Sequence, residues 1–128
     1  MEKKITVTAA FLGMTAIILG AFGAHALKTV LTMNQLASFE TGVKYQMYHA
    51  LFLMLVGLNV SMSEKTKRAI YFLTVIGVIF FSGSIYLLAT NQLTSFDFKV
   101  FGIVTPIGGL LLILAWSVFL LSCFNKKA

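Results

Sequence analysis

The sequence predicts an all-α membrane protein: four transmembrane helices in an antiparallel bundle, with a short interfacial helix before the second span. Three observations carry this expectation. First, 59% of the 128 residues are hydrophobic and 11% charged, against roughly 45–50% and about 25% in soluble domains. Second, the charged residues are grouped so that four apolar stretches remain, each close to the ~20 residues with which a helix crosses about 30 Å of hydrocarbon. Third, runs such as 51–58 and 110–116 are apolar on every face, whereas the strands of a membrane barrel alternate.

The first span is residues 5–24, between Lys4 and His25, without an ionisable side chain. Lys3 and Lys4, this stretch and then Ala24-His25-Ala26 also imitate a secretory signal with its cleavage site. The stretch exceeds the roughly 7–15 residues of such signals, and Gly13, Ala16, Gly20 and Ala24 form a small-residue packing face, so an uncleaved helix is expected. Next, Thr32-Met33-Asn34-Gln35 has the form of a capping box, and Leu36, Phe39 or Glu40, Val43 and Met47 recur at helical spacing. This predicts a short surface helix leading into the second span, with Glu40 and Lys44 placed to pair and Gly42 as the bend between the two parts.

The second span, residues 45–63, is interrupted only by His49, and the third, residues 69–90, follows Arg68. The short connection at 61–68 requires those two to run antiparallel, in a bundle of left-handed type. Residues 91–101 alternate Phe96, Phe98 and Phe101 with Asp97 and Lys99, as a loop at headgroup level does, and Ser95 or Asp97 is placed to cap the fourth span, residues 100–125.

A single proline, ten glycines and no low-complexity tract point to one domain over residues 1–128. The lone cysteine, Cys123, reads as apolar filler near the last helix end. The formal charge of +6 is split among the two termini and the connections, which excludes a basic stripe and with it a nucleic-acid partner. With an even number of spans, Lys3, Lys4, Lys65, Lys67, Arg68, Lys126 and Lys127 share one side, against Lys28, Lys44 and Lys99 on the other. The positive-inside bias then places both termini in the cytoplasm, in a multi-pass protein of the cell membrane.

Compared by depth, the polar residues of the spans collect in the outer half of the bundle. His25 ends the first span, Tyr45, Tyr48 and His49 open the second, Ser82, Ser84 and Tyr86 lie late in the third, and Thr105 lies early in the fourth. Because unsatisfied polar groups in hydrocarbon are costly, these predict a polar layer among the helices, formed by His25, Tyr45, His49, Ser82, Ser84, Tyr86 and Thr105. Bland readings stand beside this one: tyrosines as an interfacial belt, hydroxyls bonded to their own helix, His49 as an interhelical link. His49 is expected to point into the bundle at the level of Ser82 and Tyr86, with the inner halves nearly pure hydrocarbon.

Four motifs in order, Gly20-Ala21-Phe22-Gly23-Ala24-His25-Ala26-Leu27, Tyr45-Gln46-Met47-Tyr48-His49-Ala50-Leu51, Phe81-Ser82-Gly83-Ser84-Ile85-Tyr86 and Thr105-Pro106-Ile107-Gly108-Gly109, resemble the bacterial membrane family known as domain of unknown function 423. The resemblance covers nearly the whole chain. It implies a small four-helix protein of the cytoplasmic membrane, related to a small vertebrate transmembrane protein, and it argues against signal cleavage. It carries over no activity and no catalytic or ligand residue.

The function expected is a non-enzymatic membrane component that binds membrane lipid, a small amphiphile or another membrane protein through the outer polar layer. A second copy of the chain is a further candidate partner. One alternative is a membrane enzyme or redox protein using His25 and His49, yet two histidines without a carboxylate at that depth make neither a nucleophile–base pair nor a metal triad. A haem between these histidines is conceivable on spacing, but no cofactor is expected. The other alternative is a small dimeric transporter. Proton-coupled export needs a carboxylate inside the membrane, and Glu2, Glu40, Glu64 and Asp97 all lie at or beyond the span ends.

Overall fold

The computed structural model describes residues 1–94 and 99–125, and among these it contains helix and no strand. Its α-helices are α1 (Glu2–His25), α2 (Met33–Leu58), α3 (Glu64–Val78), α4 (Ser84–Ala89) and α5 (Val104–Phe124). A five-residue π-helical segment, Ile79–Gly83, joins α3 to α4, so the chain forms four rods. The segments Glu2–Thr29, Glu64–Ala89 and Lys99–Phe124 are long and apolar enough to cross a membrane. The remaining rod, α2, has 26 residues, roughly 39 Å at 1.5 Å each, but Glu40, Lys44, Gln46 and His49 lower its hydropathy.

The capping box forms as its spacing predicts: Gln35 N–H donates to Thr32 Oγ1 (3.1 Å) and Thr32 N–H to Gln35 Oε1 (2.9 Å). The separate interfacial helix does not form. From Met33 onward α2 is one continuous helix, and Gly42 is a packing position, because a Cβ there would lie 2.7 Å from the Tyr86 ring. Glycine serves close approach here, not a bend. The last helix starts at Val104 after a 3₁₀ turn, Lys99–Gly102, later than the expected residue 100. Ser95, Phe96, Asp97 and Phe98, expected as capping and headgroup-level residues, lie outside the described residues.

Interhelical packing is antiparallel between chain neighbours. Down the α1–α2 pair, Gly23 faces Phe39, Gly20 faces Val43, Gly13 faces Ala50, and Ile5 and Thr6 face Gly57. In the α3–α5 pair Gly77 meets Leu112, and Gly108 lies against the backbone of Phe80 and Phe81. α2 and the α3–α4 rod occupy the centre, whereas α1 and α5 lie at the periphery. Accordingly α1 buries only Ile5, Ala9, Ala16 and Gly23, and α5 only Gly108, Leu112 and Ala115. The outward residues of α1, Phe11, Met14, Ile17, Ile18 and Phe22, stay exposed.

At the end carrying the N-terminus, Ile5, Phe52, Leu53, Val56, Ile70 and Ala115 form the larger core. That end is less purely apolar than the sequence suggests. Lys67, counted above among the basic residues of a surface connection, is 1% exposed. Its ammonium donates to Glu2 Oε1 (3.1 Å) and Gly57 O (3.3 Å), tying the start of α1 to the α2–α3 turn. At the opposite end Leu27, Leu31, Phe39 and Ala89 make a second, smaller core.

The tight glycines differ in what they would tolerate. A Cβ at Gly108 would collide with the Phe80–Phe81 backbone, which cannot swing away, whereas Gly83 has nothing within 4 Å. Gly108→Ala is expected to destabilise by about 1–3 kcal/mol, and Gly83→Ala to be neutral or stabilising by up to about 1 kcal/mol through helix propensity. Unfolding of the two variants in the same detergent checks the contrast; equal shifts contradict it.

Candidate functional site

Toward the N-terminal end the Tyr71 and Thr8 hydroxyls pair at 3.0 Å, and Thr74 Oγ1 is buried without a partner among the described residues. Three hydrogen-bonded groups of polar residues lie in the outer half and middle of the central helices. The first centres on Gln46, 5% exposed. Its Nε2 donates to Leu12 O (3.0 Å) and Thr15 Oγ1 (2.7 Å) of α1, while its Oε1 accepts from Tyr86 O–H of α4 (2.6 Å). Both amide hydrogens and the carbonyl are therefore matched across three helices. One turn outward, Ser82 Oγ in the π-helical segment donates to Gly42 O (2.7 Å). The second group is the hydroxyl pair Ser84–Thr105, which joins α4 to α5.

The third group is His49 with Trp116. Trp116 Nε1–H donates to His49 Nε2 (3.0 Å), and His49 Nδ1 lies 2.7 Å from Tyr45 O. An indole is a donor only, so Nε2 is the acceptor and the ring proton sits on Nδ1, donated to the carbonyl. Both nitrogens are thereby committed. Around them the Phe52 and Trp116 rings stack at 4.1 Å, and the edge of His49 meets both.

Of the expected layer, the structure brings together Tyr86 and Ser82 through α2, and Ser84 with Thr105. His49 is buried as expected but lies deeper than Tyr86, whose hydroxyl ends on Gln46, and its partner is on α5 rather than α4. The antiparallel register makes this unavoidable, since residues further along α2 face earlier residues of the α3–α4 rod. Tyr45 is half-exposed, giving its carbonyl to His49 and its ring to Phe81 at 4.9 Å. His25 is exposed at the end of α1 and joins none of these groups. Since Gly23 faces Phe39 and Gly13 faces Ala50, His25 and His49 stand about 18 Å apart along the helix axes, too far to share a ligand.

Sequence reasoning passed over Gln46, Thr15 and Trp116. Gln46 carried a usable signal, because Gly42, Gln46, His49 and Leu53 recur at helical spacing on one face. Trp116 was hidden in an apolar run, though an indole N–H in hydrocarbon requires an acceptor.

Two hollows adjoin these groups. A cleft of about 470 Å³ opens between the start of α2 (Asn34, Gln35, Ser38), α4 (Ile85, Leu88, Ala89) and the start of α5 (Thr105, Pro106). A groove of about 450 Å³ lies between α2 and α5, walled by Tyr45, Tyr48, Leu51, Phe52, Leu55 and Trp116 with His49 in its floor.

Apolar helices that turn outward while nearly all of their buried polar side chains, Thr74 Oγ1 excepted, are matched inside define an α-helical membrane protein. The comparisons with known proteins agree. Residues 19–109 match the family model described as protein of unknown function (DUF423), and the chain belongs to that family. It is 37% identical to a UPF0382 membrane protein of Staphylococcus haemolyticus over 96% of this chain and 97% of that one. It is 33% identical to a UPF0382 membrane protein of Haemophilus influenzae over 100% of this chain and 99% of that one. It is 32% identical to the UPF0382 inner membrane protein YgdD of Escherichia coli over 98% and 93%. No solved structure matches the chain.

His49→Leu removes the acceptor of the Trp116 indole and is expected to lower stability by about 0.6–2 kcal/mol. Trp116→Phe should then cost less in this background than in the unsubstituted protein, because the donor is already unpaired and only its ring contacts with Phe52 and Phe119 are left to lose. Strict additivity in this double-mutant cycle, read from unfolding in detergent, would contradict the pairing. Gln46→Leu strands partners on both α1 and α4 and should destabilise more than His49→Leu.

Proposed function

We infer that the chain crosses the membrane four times, with both termini and the α2–α3 turn in the cytoplasm, and serves as a non-enzymatic component that holds a lipid or small amphiphile at its outer end. For the fourth crossing, the support is the way α2 disposes of its polar groups. Gln46 and His49 are turned inward and satisfied, while Leu51, Leu55 and Leu58 face outward. The part of α2's low hydropathy that comes from Gln46 and His49 therefore reflects an internal seam, while Glu40 and Lys44 are exposed nearer its outer end. The count of basic residues supports the orientation.

The single observation behind the binding role is the cleft at Ser38 and Thr105, with amide and hydroxyl groups on one wall and Ile85, Leu88 and Pro106 on the others. A mixed wall of this kind suits the junction of a polar head and an apolar tail. Acid–base chemistry is less well supported, since both His49 nitrogens are engaged and His25 stands apart.

Two measurements test this reading. Topology reporters, placed in a chain whose Cys123 has been replaced where thiol labelling is used, should read cytoplasmic after residue 125 and in the turn at Ser61, and external at Val30. A reporter at Ser61 on the same side as Val30 refutes the fourth crossing. Native mass spectrometry of the gently extracted protein should retain an amphiphile that Ser38→Phe displaces by filling the cleft; a bare protein, or retention unchanged by the substitution, refutes the binding role.

A further inference from the structure

The cleft and the groove lie on one seam. Along α2, Asn34, Ser38, Tyr45, His49 and Phe52 are separated by three, four or seven residues and so share a face. Along α5 the same holds for Thr105, Leu112, Trp116 and Phe119. Between these faces the helices meet through side chains: Trp116 with His49 and Phe52, and Phe119 with Phe52 at 5.5 Å. The Tyr45–Phe81 ring pair stands where the cleft gives way to the groove.

Chemistry changes along the seam in the order an amphiphile requires. The cleft offers Asn34, Ser38 and Thr105, and among the described residues no ionisable side chain lines it. The groove below is walled mainly by hydrocarbon and aromatic rings; of its two heterocycles, the Trp116 N–H is spent on His49, and His49 has both nitrogens covered by Trp116 and Tyr45. From Tyr45 to Leu55 is ten residues, about 15 Å along a helix, which is half of the ~30 Å hydrocarbon core. The groove is thus about as long as one leaflet is thick, and it begins about 10 Å below Ser38.

The geometry points to a single glycerophospholipid of the outer leaflet seated in this seam, its net-neutral headgroup in the cleft at Ser38 and Thr105 and one acyl chain in the groove against the face of Trp116. This rests on the cleft reading above and adds the ligand class and the chain site. Because no ionisable side chain lines the cleft among the described residues, a zwitterionic head is favoured over an anionic one, whose excess charge would lose hydration with no counter-charge among those residues to meet it. Head and chain draw on different hollows: the cleft supplies the polar groups, and the groove supplies almost only apolar contact.

Trp116 is the one tryptophan in the sequence, so its fluorescence reports on the groove alone. The full chain is placed in nanodiscs whose phosphatidylethanolamine carries bromine at mid-chain, then exposed to a large excess of unbrominated lipid. Quenching by surrounding lipid reverses at once; quenching by a seated chain recovers in a separate slow phase. That slow phase is expected with brominated phosphatidylethanolamine, is expected to be absent with brominated phosphatidylglycerol, and is lost in Leu55→Phe, which fills the groove from its lipid-facing wall. Leu51→Phe, on the same exposed wall, serves if Leu55→Phe does not fold.

A slow phase that survives both substitutions overturns the chain site, as does equal behaviour of the anionic lipid for the headgroup class. Emission insensitive to every brominated lipid means that protein, a second copy of this chain, covers the groove, and it also overturns the proposal. Water-soluble glycerophosphoethanolamine, a head without chains, should not be retained on extraction; retention matching that of the lipid removes the role of the groove. If no slow phase appears while Ser38→Phe still displaces an amphiphile in mass spectrometry, the groove proposal falls and the cleft reading stands. If neither signal appears, both fall.

Discussion

A side-chain amide inside a membrane bundle has two donors and an acceptor that hydrocarbon cannot match, so the protein has to match them itself. Gln46 meets this demand with Leu12 and Thr15 on one side and Tyr86 on the other, and in doing so it fixes the rotation of α2 about its own axis. Once that rotation is set, Gly42 and His49 must also face inward, and Tyr48, Leu51 and Leu55 must face outward. Ser82 then finds Gly42 O, Trp116 finds His49, and the wall of the α2–α5 seam is determined.

Close backbone approach supplies the complementary constraint. Gly42 beneath Tyr86, Gly77 beneath Leu112 and Gly108 against the Phe80–Phe81 backbone bring the α3–α4 rod near to its two neighbours. In lipid, where apolar burial gives no net drive for helices to associate, such contacts and the interhelical hydrogen bonds carry the association. Tightness on those sides contrasts with the α2–α5 seam, where large rings span the gap and leave hollows at either end of the Tyr45–Phe81 pair. The π-helical segment lies at the junction of the two regimes, holding Ser82 toward α2 and Phe81 toward α5.

How far the sequence made this legible follows from which residues announce themselves. Helical class, the capping box at Thr32–Gln35 and the antiparallel sense of neighbouring helices rest on local signals and on the length of the connections, and the structure agrees with each. The inward placement of His49, Ser82, Ser84, Tyr86 and Thr105 was readable from depth, because polar groups in an apolar run must turn inward. Their pairing was not, since it depends on register between helices that no local pattern sets. Lys67 misled for a related reason: a lysine in a short connection looks solvated until the fold brings Glu2 and Gly57 O to its ammonium. Gly42 looked like a hinge because a glycine that admits a neighbour's ring and a glycine that permits a bend are written with the same letter.

The division of Gln46's partners also bears on how the chain is made. Its two donor bonds go to α1, which precedes it, and its acceptor bond goes to Tyr86, forty positions later. A chain emerging from its N-terminus can therefore settle most of the polarity of α2 as soon as the first hairpin exists. On the four-crossing reading proposed above, the least apolar of the four rods would then enter the bilayer already paired with α1, as one half of a hairpin, and His49 would wait for the last helix to arrive. On this view α1, peripheral in the finished bundle, is the escort of α2 during biogenesis.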